Sequence, residues 1–440
     1  MRNIASMMIG LLLAAAAATS RAGAIPADLL RADIDAMYPD IESLYLDLHQ
    51  NPELSLLEEK TAAKLVARMR KLGYEVTPKV GGTGVVAILR NGAGPTLLIR
   101  TDMDALPVLE KTGLPYASKV QQKDAVTGEL VPVMHACGHD VHMAAWIGTA
   151  TLLAKRKDLW HGTLMFIAQP AEERVRGAKA MLADGLYTRF AKPDMALAFH
   201  DHDTTPAGTA GTIPGYLAAA ADSVDLTFYG RGGHGAYPQD AVDPILMAAR
   251  FVVAVQSIVS REISPFDQAV ITVGSFHGGL KHNIISDEAK LQITVRSYKP
   301  EVREKLLAGI ERIAKAEAAA ARAPREPEMK IIESTPATYN DPALTARVMA
   351  ALGAALGPEN LTQPPAEMGS EDFSEFVNAG VPGVYLQVGA VNPEKYAAWK
   401  KGGAQPPSTH SPLFAPDTVP TLKTAILAET VAALELLGGK

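Results

Sequence analysis

Side chains able to bind metal ions occur in four short clusters and at one late position of this 440-residue sequence. They are Asp102-Met103-Asp104, the segment HACGHDVH at 135–142, Glu172-Glu173, His200-Asp201-His202, and His410. Thiolate, imidazole and carboxylate ligands together suit Zn²⁺, Mn²⁺ or Co²⁺. An isolated histidine is more often structural than a ligand. Here three histidines and the only cysteine fall within 135–142, which favours a metal site.

Cys137 is the single cysteine, so the chain has no internal disulfide. One interpretation is a small, buried, apolar residue. Another is a metal ligand, because His139 follows two residues later and both side chains could face one ion in an extended segment. A third is a thiol hydrolase with Cys137 as nucleophile and His139 as base, and EDTA would leave such an enzyme active.

The acidic doublet Glu172-Glu173 also indicates chemistry. Adjacent carboxylates repel each other, and a nearby cation would offset that cost. Their side chains diverge, so one can bind a metal while the other faces the substrate. The second can accept a proton from water and pass it to a leaving amine. The alternative is an acidic turn on the surface.

Several of these clusters closely follow apolar runs that are typical of buried strands. Asp102 and Asp104 follow TLLIR at 96–100, Glu172 and Glu173 follow TLMFIA at 163–168 after Gln-Pro-Ala at 169–171, and His200 directly follows MALAF at 195–199. In an open α/β sheet, ligand sites lie beyond the carboxyl ends of the strands. The sequence therefore predicts that three strands deliver these side chains to one edge of a sheet.

Alternating strand-like and helix-like segments predict an α/β fold with a mixed, mostly parallel sheet. After Pro214 the order becomes βαββαβ, typical of a ferredoxin-like satellite domain. The α/β pattern resumes after Pro342, so the satellite is predicted to be an insertion. We predict a catalytic domain in two parts, 25–214 and 336–440, interrupted by a satellite at 215–335.

Three residues of the satellite are candidates for function: His234, Asn283 and Arg296. His234 lies in the turn GRGGHG at 230–235, which also spells GxGxxG. The preceding strand alternates instead of running apolar, and no acidic residue stands at the ribose-binding distance, so dinucleotide binding is disfavoured. Arg296 is either a bidentate anchor for a carboxylate or an ordinary cation at a strand end.

The N-terminus predicts export. Arg2, the apolar run at 9–18 and the motif Ala22-Gly23-Ala24 have the layout of a secretory signal peptide, with cleavage after Ala24. We therefore expect a periplasmic or secreted protein with no transmembrane anchor in the mature chain. The formal net charge of −6 and the absence of a long basic run argue against nucleic-acid binding.

Taken in order, these motifs resemble the amidohydrolase branch of the M20 peptidase family, which includes hippurate hydrolases, N-acyl amino acid amidohydrolases and auxin-conjugate hydrolases. The matching stretches are RTDMDALPVLEKTGLPYAS, MHACGHDVHMAAWIGTA, FIAQPAEE, GRGGHGAYPQDAVDPI, NIISDEAKLQITVRS, GSEDFSEF and THSPLF. The resemblance runs from about residue 40 to the C-terminus. Ser286 and Gln239 stand where many members of the family have other residues. The loop at 121–130 is an addition to the family pattern.

The resemblance implies a site for two metal ions and a role for each of several residues. The implied metal ligands are Cys137, His139, Glu173, His200 and His410, with Cys137 bridging the two ions. The resemblance further implies Glu172 as general base and acid, and Asp104 as an orienting carboxylate. It also implies that the satellite domain dimerises, so that His234 supports the oxyanion in the active site of a neighbouring subunit.

The sequence thus predicts a metal-dependent amidohydrolase that cleaves amides of N-acyl amino acids or small peptides with a free carboxylate. Asn283 and Arg296 are the candidates for holding that carboxylate. One alternative is a dipeptidase or carboxypeptidase of the same fold. Another is a periplasmic protein that binds acyl amino acids without turnover, although the complete set of ligands together with Glu172 disfavours it.

Overall fold

The computed structural model describes residues 25–438, so the predicted signal peptide lies outside the described residues. The helices are α1 Ala27–Gln50, α2 Glu59–Lys71, α3 His139–Lys155, α4 Gly177–Ala183, α5 Leu186–Arg189, α6 Pro244–Ala254, α7 Pro300–Ala320, α8 Pro342–Leu356, α9 Ser374–Asn378, α10 Pro393–Lys400 and α11 Thr418–Leu437. The strands are β1 Glu75–Pro78, β2 Val85–Asn91, β3 Thr96–Asp102, β4 Gln121–Lys123, β5 Leu130–Pro132, β6 Gly162–Gln169, β7 Met195–Pro206, β8 Ala210–Gly211, β9 Gly215–Ala218, β10 Ala220–Tyr229, β11 Gly233–His234, β12 Ala269–Gly278, β13 Ile284–Ile285, β14 Glu288–Ser297, β15 Glu328–Thr335, β16 Thr338–Asn340, β17 Leu361–Thr362 and β18 Gly383–Val391.

A mixed sheet with strand order β1-β2-β6-β3-β7-β18-β8-β17 forms the centre of the larger unit. Its middle strands β6, β3, β7 and β18 are mutually parallel. Strand β18 is buried along its whole length, and β3 is buried from its second residue, because helices cover both faces of the sheet. The main core contains side chains of α1, α3 and α11, and a second core contains side chains of α4 and α9. The predicted α/β class with a mostly parallel sheet is confirmed.

The smaller unit is an antiparallel sheet of order β12-β14-β10-β15 with helices α6 and α7 on one face. Helix α6 begins at Pro244, and the Asp243 carboxylate accepts hydrogen bonds from the backbone amides of Ile245 and Leu246. Its buried side chains Met247 and Phe251 pack with the sheet in a separate core. We use "satellite" for this unit and "catalytic unit" for the larger one.

The two units are linked where the chain enters and leaves the satellite. Strand β9 pairs antiparallel with β16, so both crossings lie side by side. The hydroxyl of Tyr298 in the satellite donates to the backbone carbonyl of Glu367 in the catalytic unit at 3.0 Å. Within the described residues, the helical stretch Pro244–Glu262 is long and apolar enough by composition to cross a membrane. Its inner side chains belong to the core of the satellite.

Candidate metal centre and active site

The acidic and histidine clusters meet at one edge of the central sheet. Strand β3 ends at Asp102, which pairs with Gln169 at the end of β6, and His200 lies on the adjacent strand β7. Glu172 begins a short 3₁₀ turn just after β6. As predicted from the strand ends, three neighbouring parallel strands place these groups together.

Gly138 allows the segment of Cys137 and His139 to enter the same region. Its φ of +80° is favourable only for glycine, and a Cβ there would lie 2.4 Å from the Asp201 carboxylate. Helix α3 starts directly after it at His139. Cys137 and His139 therefore reach the sheet edge from a tight turn at the helix start.

Five side chains converge, and we call them the ligand cluster: Cys137, His139, Glu173, His200 and His410. The thiol sulfur lies 3.4 Å from His200 Nε2 and 3.3 Å from His410 Nε2. Glu173 Oε1 lies 3.6 Å from His410 Nε2 and 3.9 Å from His139 Nε2. Cys137 belongs both to a group with His139 and His200 and to a group with Glu173 and His410. Cys137 would thus be a potential metal ligand in either group.

Buried polar atoms of the ligand cluster also fit a site for metal ions. Both ring nitrogens of His139 and Oε1 of Glu173 are buried without a hydrogen-bond partner in residues 25–438. Orphaned buried polar atoms are costly, and a bound cation would satisfy them. The mixture of thiolate, imidazole and carboxylate suits borderline divalent ions such as Zn²⁺, Mn²⁺ or Co²⁺.

The raised pKa values of two members of the ligand cluster also favour bound cations. Burial raises the pKa of the Cys137 thiol well above its usual value, and the carboxylates of Glu173 and Glu172 add to this effect. Burial likewise raises the pKa of Glu173 to about 7. A thiolate and a carboxylate at this place therefore need a compensating cation.

Asp104 orients the segment that carries the acidic doublet. Its carboxylate accepts hydrogen bonds from the backbone amides of Glu172 and Glu173, both at 3.1 Å, and from the Ser55 hydroxyl at 2.5 Å. It also lies 3.5 Å from His139 Nδ1. One carboxylate therefore holds the doublet and lies beside a member of the ligand cluster.

Glu172 lies beside the ligand cluster, with Oε2 at 3.9 Å from His139 Nε2. Burial raises the pKa of Glu172 well above its ordinary value, and the carboxylates of Glu371 and Glu173 raise it further. A carboxyl with a raised pKa both accepts and donates a proton more readily near neutral pH, as a general base and acid requires.

A layer of hydrogen bonds behind the cluster was not predicted from the sequence. His142 bonds to Asp102 Oδ1 at 2.8 Å through Nδ1 and to Asp201 Oδ1 at 3.0 Å through Nε2. His200 donates from Nδ1 to the backbone carbonyl of Asp201 at 2.6 Å, which leaves its Nε2 facing Cys137. Such outer contacts orient metal-binding imidazoles. The sequence signal was present, since Asp201 and His142 belong to clusters already singled out.

Arg100 was missed altogether as a member of this layer. Its fully buried guanidinium lies 2.7 Å from Asp102 and 2.7 Å from Glu371, and it donates to Gln169 at 2.9 Å. The charged residue at the end of an otherwise apolar strand was the available signal. Burying it among carboxylates neutralises charge behind the ligand cluster.

His135 is the first histidine of the histidine-rich segment. It is buried, and burial lowers its pKa to about 4, so the ring is neutral. Both ring nitrogens lack a hydrogen-bond partner within the described part of the chain.

A cavity of about 610 Å³ opens in front of the ligand cluster and is bounded by both units. The catalytic unit contributes Cys137, Glu172, Glu173, His200 and His410 to its wall, and the satellite contributes Ala221, Ser223, Arg296 and Glu333. The volume suits a small molecule.

The three satellite candidates are placed differently. Arg296 lines the cavity, and its guanidinium donates to Ser370 Oγ at 3.0 Å and Thr294 Oγ1 at 3.1 Å. His234 and Asn283 are exposed and lie together, since His234 pairs with Ile284 and the amide of Gly235 donates to the carbonyl of Asn283. Neither lines the cavity of its own chain.

Comparison with known proteins gives consistent matches. The model of Peptidase family M20/M25/M40 matches residues 98–401. Thermostable carboxypeptidase 2 of Saccharolobus solfataricus is 35% identical over 411 residues, which are 92% of this chain and 98% of the relative. Hippurate hydrolase of Campylobacter jejuni is 40% identical over 270 residues, which are 60% of this chain and 66% of the relative.

A solved structure from Bacillus subtilis, described as a dinuclear metal-binding peptidase from the M20 family, superposes with a TM-score of 0.73. It is 29% identical and the match covers 91% of this chain and 98% of that chain. The relatives and the ligand cluster together support a hydrolase that depends on metal ions.

Proposed function

The chain belongs to peptidase family M20/M25/M40, and on that premise we propose that it hydrolyses the amide bond of N-acyl amino acids or small peptides with a free carboxylate. One observation carries the proposal. The cavity presents Glu172 and the ligand cluster on one wall and the guanidinium of Arg296 on another. In the described residues, Arg296 makes hydrogen bonds to hydroxyl groups and has no carboxylate within ion-pair distance.

Arg296 anchors the substrate in this proposal. A half-buried guanidinium without an anionic partner is prepared to accept a carboxylate in bidentate geometry. Ser370 and Thr294 hold the side chain in place from both units. The scissile amide then lies between Arg296 and Glu172.

Glu172 moves the proton. Two divalent ions held by the ligand cluster would supply Lewis acidity for the amide carbonyl and for water. The Glu172 carboxylate accepts a proton from the attacking water and later delivers it to the leaving nitrogen. Asp104 keeps the carboxylate in position through the backbone amides of Glu172 and Glu173.

The experiment is a screen of metal-replete enzyme against hippurate, other N-acyl amino acids and dipeptides. Glu172→Gln keeps the size of the side chain and should lower kcat by about 10²–10⁴-fold while the bound metal content stays unchanged. Glu394→Gln, at an exposed position of α10, is the matched control. Turnover by Glu172→Gln at the rate of the control would contradict the assigned role.

The same screen addresses the alternatives. The S. solfataricus relative is named a carboxypeptidase, so preference for peptides over N-acyl amino acids would favour that activity. Binding without turnover of any member would favour a binding protein. Activity that survives EDTA would favour a thiol hydrolase, but burial raises the pKa of Cys137 and so disfavours a free thiolate.

We propose that the satellite forms a homodimer that brings His234 to the cavity of the neighbouring subunit. Strand β12 is an edge strand, and Leu246 and Val253 on α6 are exposed apolar residues at 59% and 75%. Mixing His234→Asn with Glu172→Gln should restore activity in heterodimers, since one site then has both groups. Sedimentation as a monomer would contradict the dimer.

A further inference from the structure

One face of the satellite sheet carries two opposite charges at the cavity. Ala221 and Ser223 are alternate residues of β10 and share that face. Arg296 on β14 is the cross-strand partner of Ala221, and Glu333 on β15 is the partner of Ser223. All four residues line the cavity. The sheet therefore presents a cation and an anion to the substrate with two of the smallest side chains between them.

The two charges do not neutralise each other. One strand, β10, lies between the strands of Arg296 and Glu333, and the two residues are offset by two positions along the strand direction. At standard sheet spacings this corresponds to roughly 12 Å between their Cα atoms. Among residues 25–438, Glu333 makes neither an ion pair nor a side-chain hydrogen bond, and Arg296 contacts hydroxyl groups only. A substrate that covers Ala221 and Ser223 can therefore contact both charged groups at once.

A second carboxylate also lines the cavity. Glu367 Oε1 accepts a hydrogen bond from Gln387 Nε2 at 3.0 Å. Gln387 is the strand partner of His200, which places Glu367 next to the ligand cluster. Its Oε2 lies 3.7 Å from His202 Nε2, and 46% of the side chain is exposed.

We infer that the preferred substrates are amides of amino acids with a cationic side chain, whose carboxylate binds Arg296 and whose cation binds Glu333. This inference rests on the proposed amidohydrolase function and narrows its substrate class. Arg296 and Glu333 lie on the same sheet. The substrate carboxylate and cation that they bind therefore both belong to the amino acid part of the substrate and not to its acyl part. The flexible four-carbon stem of lysine suits the span over Ala221 and Ser223.

The test compares Nα-acetyl-lysine, which keeps its side-chain cation, with N-acetylnorleucine, a neutral analogue with a straight side chain. The metal-replete enzyme should show a kcat/KM ratio of roughly tenfold or more in favour of the lysine compound, as expected for a charged hydrogen bond in a partly buried site. Glu333→Gln should bring that ratio close to one. Glu326→Gln, an exposed residue just before the same strand, should leave the ratio unchanged.

A wild-type ratio near one, or a high ratio that survives Glu333→Gln, would overturn the inference. Failure of the proposed function looks different, because then neither compound is hydrolysed. In that case calorimetric titration of the Mn²⁺-loaded Glu172→Gln protein with the two compounds decides. Tighter binding of Nα-acetyl-lysine supports the inference, and equal binding overturns it.

Discussion

Glu429 offers a quantitative test of the packing between α11 and α3. The residue is fully buried in α11, and neither carboxyl oxygen has a hydrogen-bond partner in the part of the chain that the structure describes. Burial raises the pKa of Glu429 to about 8, which the Thr149 hydroxyl and the His142 imidazole offset only in part. The carboxyl is therefore held neutral inside the folded protein at pH 7.

The pKa of Glu429 in the folded protein lies above its value in the unfolded chain. The contribution of Glu429 to the free energy of unfolding is therefore fully present below about pH 4.5 and is lost as the pH rises to about 8. At 1.36 kcal/mol per pKa unit, the loss is about 3 kcal/mol at pH 7 and about 5 kcal/mol above pH 8. Glu429→Gln keeps the shape but cannot ionise, so it should be more stable than the wild type by these amounts.

The assay is urea unfolding of wild type and variant at pH 5, 7 and 9 with the same metal loading. The gain from Glu429→Gln should grow from under about 1 kcal/mol at pH 5 to several kcal/mol at pH 9. Glu394→Gln, where the carboxylate is exposed, should show no such trend. A gain for Glu429→Gln that is equal at pH 5 and pH 9 would refute the argument that burial keeps this carboxyl neutral.

Three further predictions concern the outer layer of the site and the N-terminus. Asp201→Asn removes the carboxylate that bonds to His142 and should weaken metal binding by about 10–100-fold in a chelator competition; unchanged affinity would contradict its role. Arg100→Met leaves Asp102 and Glu371 buried without their cation and should lower the free energy of unfolding by about 3–5 kcal/mol in urea. The exposed Arg90→Met is its control, and an equally small loss in both variants would show that the buried charges are compensated in another way. We also propose that residues 1–24 direct export, so mass spectrometry of the exported protein should find a chain beginning at Ile25, and an intact Met1 would contradict this.

Local sequence patterns predicted the elements that position the site. The apolar runs at 96–100, 163–168 and 195–199 all form central strands. Helix α3 begins at His139, inside the histidine-rich segment, because the left-handed conformation of Gly138 lets the helix start directly after the Cys137 turn. Residue periodicity cannot report a backbone reversal that one glycine permits.

The outer layer could not be predicted because its partners are distant in the sequence. Arg100 looked like the end of a strand, yet the strand continues to Asp102 and the guanidinium is buried against Glu371, 271 positions away. No local pattern specifies that pairing. The same holds for Glu333, whose significance appears only when β15 is aligned with β10 and Arg296.

The separation between Cys137 and His410 also bears on the order of folding. The two side chains touch although 273 positions separate them, and the whole satellite is translated in between. A growing chain therefore contains four of the five members of the ligand cluster long before the last one emerges. Closing so long a loop carries an entropic cost that contacts near its ends must offset. Assembly of the catalytic centre therefore requires that the parts of the chain on both sides of the satellite come together.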